Sequence, residues 1–320
     1  SKEDGGRKKI TQYTRYGTVI LSVVQGFAIT TMLKSWGEGD SIVTNASIGW
    51  TLLAVITLMA GTAFVMWLGE QITEKGIGQG ISIIITAGIV AAAPAGVQRL
   101  FADLMAGRVG LPQVAVLILL TVVAIMGTVF ITLSVRRIPV QYAKRVVGRK
   151  VFGGQTTHIP LRVNIAGMIP IIFAVTLMQF PGIVFGFLRR LMPDSSWING
   201  VQVWFGPTRP LYYIVYSSLI IGFTYFYTAV QINPVDMADN LRKHGGFIPG
   251  VRPGKRTAEY INNILTRITL PGAVFLAAIA VIPMIFQQWL KIGTMVQGAS
   301  LLIVVGVALD TMNQIESYLT

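Results

Sequence analysis

The stretch NPVDMADNLRKHGGFIPGVRPGKRTAE, residues 233–259, lies between two long apolar segments and is long enough to form a structure of its own. Closely spaced glycines and prolines fill its second half, which excludes a continuous helix and predicts a hairpin-like tip. Such a tip would hold basic side chains in solvent, so we expect a docking surface here. The cations of this stretch are Arg242, Lys243, Arg252, Lys255 and Arg256.

Apolar segments long enough to cross a hydrocarbon core of about 30 Å surround this stretch along the whole chain. The chain is 53% hydrophobic and only 12% charged, about half the charged fraction of a soluble domain. Backbone in lipid must satisfy its own hydrogen bonds, and uninterrupted apolar segments of this length do so as helices. We therefore predict an all-α membrane protein, a polytopic helical bundle. Its spans are placed at 17–33, 48–69, 77–93, 112–134, 164–187, 210–230, 264–286 and 298–319.

The lysines and arginines are distributed unevenly between the two sides of this bundle. Most of the 26 precede the first span or follow the second, fourth and sixth spans. Cytoplasmic loops of membrane proteins carry such an excess, so these segments and both termini are predicted to be cytoplasmic. The two large cytoplasmic loops are 135–163 and 231–263. The net charge of +13 is then a property of the loops.

The loop 135–163, VRRIPVQYAKRVVGRKVFGGQTTHIPLRV, alternates cations with valine, tyrosine and phenylalanine. This alternation predicts a strand or hairpin that projects from the membrane. Topology and anionic lipid account for part of the charge. Because topology needs only a few cations, the two loops together favour a large acidic partner, protein or ribosomal RNA. The cations of this loop are Arg136, Arg137, Lys144, Arg145, Arg149 and Lys150.

Ionisable side chains are missing from the middle of every predicted span. Asp310 and Glu316 lie toward the cytoplasmic end of the last span. Ion-coupled transporters and proton pumps place ionisable groups at the midplane, so this pattern counts against coupled ion transport. A secondary transporter for a small solute remains the alternative, with Gln25, Thr176 and Gln179 as its scattered polar candidates.

Sites for nucleotides, metals or catalysis are not predicted either. Residues 76–80, GIGQG, lack a preceding strand and predict a tight turn. Gly254 and Lys255 do not complete a phosphate loop. His158 and His244 have no second ligand at helical spacing, and the chain has no cysteine. We therefore expect no cofactor, no metal and no enzymatic activity.

Isoleucine recurs in the third, fifth and eighth predicted spans. In most membrane helices isoleucine faces lipid or fills packing space, and that is the default interpretation. A pore can instead use a few isoleucines as an apolar constriction that excludes water and ions. Prolines such as Pro181 are either ordinary kinks or hinges between parts of the bundle.

Five motifs lie in order over nearly the whole length of the chain. They are QYTRYGT at 12–18, MWLGEQITEKGIGQGISIIITAGIV at 66–90, QTTHIPLRVNIAGMIPIIFA at 155–174, NPVDMADNLRKHGGFIPGVRPGKRT at 233–257 and SLLIVVGVALD at 300–310. Together these motifs resemble the SecY family, whose members form the central subunit of the bacterial protein-conducting channel.

The resemblance implies a fold of ten helices in two pseudo-symmetric halves, of which this chain has eight. Residues 1–111 would hold the third to fifth spans, and 112–320 the sixth to tenth. The first two spans and the plug helix would be absent. The chain begins SKEDGGRKK, and we expect it to be a fragment.

The resemblance also implies roles for individual residues. An apolar ring would narrow the pore at Ile85, Ile89, Ile172 and Ile303. A lateral gate would involve Gln25, Thr176, Phe180 and Pro181. In the family the two large cytoplasmic loops receive the SecA motor or the ribosome, and the arginine most important for the motor matches Arg252.

The partners and the location follow from the same resemblance. The expected partners are small membrane subunits of the SecE and SecG type, the SecA ATPase, and the ribosome through rRNA contacts at the basic loops. Signal peptides, unfolded preproteins and membrane lipids complete the set. The expected location is the prokaryotic plasma membrane, with a multi-pass topology.

Overall fold

The structure is a computed structural model that describes residues 2–35, 47–142, 145–147, 150–152, 156–192, 200, 206, 209–290 and 298–319. Helices dominate these residues, and every predicted apolar segment overlaps one of them, which confirms the all-α membrane fold. The helices are α1 (Lys2–Ser35), α2 (Ile48–Lys75), α3 (Gly80–Met105), α4 (Leu111–Leu133), α5 (Ile169–Leu191), α6 (Pro210–Gln231), α7 (Pro234–Lys243), α8 (Lys255–Leu290) and α9 (Gly298–Leu319).

Five helical segments within the described residues are long and apolar enough to cross a membrane. A shorter apolar helical segment, Ile169–Gly182, is present in addition to these five. These segments are Ile48–Lys75, Gly80–Met105, Leu111–Leu133, Pro210–Lys243 and Lys255–Leu290.

Strands occupy the first of the two basic loops. β1 (Val135–Tyr142) pairs antiparallel with β4 (Thr156–Arg162), from Val135 opposite Arg162 to Gln141 opposite Thr156. β2 (Arg145–Val147) and β3 (Lys150–Phe152), which lie between β1 and β4 in the chain, pair antiparallel with each other. The hairpin predicted for residues 135–163 is therefore confirmed.

A fifth strand, β5 (Gly246–Phe247), comes from the second basic loop and pairs with the end of β1. Tyr142 lies opposite Gly246, so the sheet order is β4-β1-β5. The sequence predicted a hairpin-like tip at 245–254 and did not predict the pairing of this segment with β1. Glycine and proline mark where a chain turns, but they carry no information about which distant strand it joins.

The described chain divides into two compact units, the first comprising residues 1–85, 177–206 and 314–320. In this unit α1 packs on α2, and Arg15 Nε and Nη2 donate to the two carboxylate oxygens of Glu70 at 2.8 and 2.7 Å. The predicted tight turn at 76–80 is present. Gly78, at a φ of +88°, donates its N–H to Gln314 Oε1 at 2.7 Å.

The second unit comprises residues 86–176 and 207–313 and contains the sheet. Its membrane part is organised around α8, against which α4 and α6 pack. The buried positions of α6 recur every fourth residue and form one stripe along that helix. They are Tyr216, Ile220, Thr224 and Thr228.

A compact apolar core lies beneath the sheet of the second unit. Side chains from β1 and β4 meet side chains from the second basic loop and from the start of α8 there. Each fully buried side chain of this size contributes about 1.5–3 kcal/mol, which is enough to hold the two loops together. We call this cluster the platform core; it consists of Ile138, Val140, Leu161, Ile248, Ile261 and Leu265.

Candidate functional site

The two basic loops form a single basic platform above the platform core. The platform consists of the sheet β4-β1-β5, helix α7, residues 244–254 and the first turns of α8. In β1 the alternation places Arg137 on the face opposite Ile138 and Val140, and Arg136, which precedes these buried positions, is exposed as well. The predicted docking residues with exposed side chains are Arg136, Arg137, Arg242, Lys243, Arg252, Lys255 and Arg256.

The remaining predicted docking residues belong to the loop that β2 and β3 form. Lys144 and Arg149 lie outside the described residues. Arg145 and Lys150 belong to the backbone ladder of β2 and β3, and their side chains lie outside the described part. The structure therefore describes seven of the predicted cations as parts of one surface.

The exposed platform cations form no ion pair within the part of the chain that the structure describes. The ion pairs found there join Arg15 to Glu70 and Arg108 to Asp103. Exposed cations without a carboxylate partner keep their positive potential available to a ligand. The platform is therefore suited to an acidic macromolecular surface.

Helix α7 begins and ends with residues that suit a short exposed helix. Asn233 caps it, with Oδ1 accepting from Val235 N at 3.0 Å, and Pro234 occupies the first helical position. Arg242 and Lys243 lie in its last turn, where the helix dipole favours cations. Two of the platform cations are thus at positions that also stabilise the helix.

The tip at residues 248–254 is fixed on both sides of Arg252. On one side Ile248 is buried in the platform core, and its carbonyl accepts from Val251 N at 3.1 Å across a turn. Gly250 has a φ of +80°, which Pro-Gly turns require at this position. On the other side the Arg252 carbonyl accepts from Thr257 Oγ1 at 2.9 Å. The backbone is therefore held while the Arg252 side chain stays exposed.

The start of α8 adds to the positive potential of the tip. Gly254 has a φ of +103°, and its carbonyl accepts from the N–H groups of Thr257 and Ala258 at 3.0 and 3.2 Å. Lys255 and Arg256 occupy the first turn, which contains no acidic residue. A helix N-terminus is itself electropositive, so these cations and the dipole act in the same direction on an acidic ligand.

Two of the predicted ring isoleucines lie on neighbouring segments of the second unit. Gly306 of α9 packs against the side chain of Met168, where any larger residue would clash. Gly167, one residue before Met168, lies beside Asp310, so the segment that leads into α5 contacts α9 at two points. Ile172 is four residues beyond Met168 and Ile303 three before Gly306, about 6 and 4.5 Å along their helices. Each isoleucine therefore lies about one helical turn from the contact between Gly306 and Met168.

The burial of the predicted ring residues differs. Ile303 is buried, with 7% of its surface exposed, and Ile172 is half-buried. Ile85 and Ile89 are half-buried on α3 and share one helix face, being four residues apart. Ile85 belongs to the first unit and the other three to the second.

The predicted gate residues lie on α1 and α5. Gln25, Thr176, Phe180 and Pro181 are all half-buried. Thr176 Oγ1 donates to the Ile172 carbonyl at 2.8 Å, so its hydroxyl is satisfied within the helix. Pro181 interrupts the hydrogen bonding of α5 without ending the helix. Thr176 belongs to the second unit and the other three to the first.

A family model described as SecY matches residues 1–312 of the chain. The chain belongs to the SecY family. The protein translocase subunit SecY of Halalkalibacterium halodurans is 47% identical over 323 residues, which cover 99% of this chain and 74% of that protein. The resemblance stated from the motifs is thereby confirmed.

Solved structures show the same fold. A chain described as the structure of a protein conducting channel matches with a TM-score of 0.70 and 18% identity, covering 97% of this chain and 73% of that one. Sec61 in the canine ribosome-channel complex from the endoplasmic reticulum matches with a TM-score of 0.60 and 16% identity, covering 97% and 73%. Identities this low establish the fold alone.

Membership of the SecY family decides between the predicted functions. The chain is a multi-pass membrane protein and a protein translocase subunit that belongs to a protein-conducting channel. It is a channel subunit and not an enzyme. The alternative of a secondary transporter for a small solute is therefore abandoned.

Sequence reasoning missed the residues that hold this SecY-family site in shape. Thr257 was not selected, although a threonine three residues after Pro-Gly at a helix start is well placed to bond back to the turn. Gly246 and Gly306 were not selected either, because close packing against Tyr142 and Met168 is visible only in three dimensions.

Proposed function

We propose that this chain works as a passive conduit to which an outside motor is coupled at the basic platform. It would pass unfolded secretory polypeptides across the prokaryotic plasma membrane, and membrane proteins laterally into it. A docked SecA ATPase or a ribosome would supply the work. The observation that carries the proposal is the shared sheet, which joins both basic loops and presents Arg252 on a tip fixed at both ends.

The chemistry of the platform supports a macromolecular partner. Its exposed cations lie on elements that share one buried core, so their spacing is set by the fold. A surface of this kind matches rRNA phosphates or an acidic protein face, and it would speed association as well as hold the partner. The canine relative named above lies in a ribosome-channel complex, and we extend that type of contact to this platform.

The proposed topology has both termini on the cytoplasmic side. Two strands can share a sheet only on the same side of the membrane, so the α4–α5 and α6–α8 connections lie together. Those connections carry a large share of the cations, which favours the cytoplasm. We propose that the eight segments correspond to the third to tenth spans of a ten-span fold. Residues 1–111 and 112–320 would belong to its two halves, clasped by SecE and SecG type subunits.

The proposed pore is sealed by an apolar ring. Ile172 and Ile303, which each lie about one helical turn from the contact between Gly306 and Met168, support this role, and Ile85 and Ile89 would be the further ring positions of this chain. Apolar constrictions exclude water and ions when empty. Without charged groups at its middle, the pore would not trap a passing chain. Gln25, Thr176, Phe180 and Pro181 would belong to the lateral gate that signal peptides open toward membrane lipids.

Charge reversal at the tip tests this proposal. In the reconstituted complete complex, Arg252→Glu should abolish motor-driven polypeptide transport and leave complex assembly intact, because it places a carboxylate where the acidic partner docks. The measurement is transport of an unfolded preprotein into proteoliposomes. The matched control is Lys75→Glu, an equal charge change at an exposed cation outside the platform. Unchanged transport by R252E, or equal losses in both variants, would contradict the proposed docking role of Arg252.

A further inference from the structure

We propose that Thr257 is a positioning residue that fixes the direction in which Arg252 is presented to the docked partner. The inference rests on the proposed docking function and extends it to the element that shapes the tip. Thr257 does not face solvent, since only 2% of its surface is exposed. It therefore acts through the main chain of Arg252 and not by touching the partner.

The hydrogen bond of the Thr257 hydroxyl is unusual within the described helices. Most other threonine hydroxyls there bond to a carbonyl three or four residues back, as Thr266 does with Asn262 and Thr269 with Leu265. The Thr257 hydroxyl instead reaches five residues back, out of α8, to the Arg252 carbonyl at 2.9 Å. It links the first turn of the helix to the tip.

The peptide unit between Arg252 and Pro253 depends on this bond. Proline has no N–H, so the Arg252 carbonyl oxygen is the only hydrogen-bonding atom of that peptide unit. The bond from Thr257 therefore sets the orientation of the peptide plane that follows the Arg252 Cα. Gly254, which follows Pro253, has a φ of +103°, and as a glycine it offers little resistance to rotation about its backbone bonds.

The backbone of Thr257 closes the same turn from the other side. Its N–H donates to the Gly254 carbonyl at 3.0 Å, while its side chain holds Arg252. One buried residue thus ties two points of the tip to a helix that is anchored in the platform core through Ile261 and Leu265. Loss of the hydroxyl should leave the helix in place and release the exposed arginine.

The experiment measures the affinity of purified SecA for the complete channel in proteoliposomes. Bound SecA is normalised to the amount of assembled channel complex, so that differences in assembly yield between variants do not affect the result. Thr257→Val keeps the shape and removes the hydroxyl, and Thr257→Ser restores it. Thr269→Val is the matched control, since Thr269 is equally buried on α8 and bonds within the helix. We expect T257V to weaken binding roughly five- to tenfold. T257S should restore it, and T269V should leave it unchanged.

Combination with Arg252→Ala separates positioning from a general structural role. If Thr257 acts through Arg252, T257V causes no further loss of affinity in the R252A background. Full additivity of the two losses, an unchanged affinity of T257V, or a T257S variant as weak as T257V would overturn the proposal. If R252A itself binds normally, the docking function fails. If R252A binds weakly while T257V binds normally, only the role of Thr257 fails.

Discussion

The basic platform and the membrane helices are built for opposite solvents, although one chain contains both. In the platform the apolar side chains are inside, with Ile138 and Val140 at 2% and 1% exposure. On the membrane helices large apolar side chains face outward, among them Phe130 at 72% and Phe226 at 65%. The platform is therefore organised like a small water-soluble domain, and the helices like a body surrounded by lipid.

This difference determines what holds a functional residue in place. In the platform, the hydrophobic effect drives apolar side chains of two distant loops into one core, and this shared core fixes the positions of the exposed cations. Between membrane helices that driving force is lacking, and close packing at small residues replaces it. Gly306 against Met168 is the example beside Ile303. A substitution in one region should therefore change one function and leave the other intact.

The largest effect is expected at Ile303, where a polar residue breaks the apolar seal. Ile303→Ser should make the resting channel conduct ions, because a hydroxyl lets water enter the constriction. Ile172→Ser, at another proposed ring position, should have the same effect. The measurement is conductance of the complete complex in planar bilayers. Ile214→Ser is the control, since Ile214 is 62% exposed on α6.

The same variants test whether the platform and the membrane helices function independently. Partner affinity at the platform should be unchanged in I303S, because no platform core residue is altered. A channel that stays tight with serine at both ring positions would count against the apolar ring. A leak from I214S of similar size would show that the effect is not specific.

A smaller effect is expected at the junction between the two basic loops. A Cβ at Gly246 would lie 3.1 Å from Tyr142 and 3.2 Å from Val140, closer than side chains normally pack. Gly246→Val should therefore weaken the pairing of β5 with β1, at a cost of about 1–3 kcal/mol. Partner affinity should fall while the resting channel remains tight.

The control for this junction is Gly245→Ala, at a neighbouring glycine with nothing within 4 Å of the added Cβ but with a φ of +72°. Backbone strain alone should reduce affinity less than the clash at Gly246 does. Protease sensitivity of the 244–254 segment measures the loss of pairing directly. Equal affinity for G246V and the unaltered chain would show that the two loops dock independently.

The sequence predicted the membrane helices well because the signal for them is local. Length and hydropathy within one segment are sufficient, and the helices around Ile85, Ile172 and Ile303 were found in that way. The hairpin of β1 and β4 was also predicted, since alternation is a local pattern. The pairing of Gly246 with Tyr142 was not, because about a hundred residues separate them and no local pattern names a distant partner.

In the candidate site, too, features with a local signal were predicted and features set by distant contacts were missed. Basic residues such as Arg252 were selected from charge and their glycine- and proline-rich surroundings. The residue that orients Arg252 was missed, because a threonine hydroxyl can bond in several ways and only the fold selects one. The roles of ring and gate residues came from family resemblance, and they remain predictions.

The smallest effect is expected at Thr132, near the end of α4, where the membrane region meets the platform. Thr132 is buried, and its hydroxyl has no hydrogen-bond partner among the described residues. Thr128, one turn earlier, is equally buried but donates to the Ala124 carbonyl at 2.7 Å. Thr132→Val exchanges an unsatisfied hydroxyl for a methyl group of similar size, and should stabilise the protein by about 0.5–1 kcal/mol. Thr128→Val loses a bond and should destabilise it slightly. Thermal unfolding of the detergent-purified complex compares the two, and a lower Tm for T132V than for T128V would mean that the Thr132 hydroxyl is bonded, for example to water.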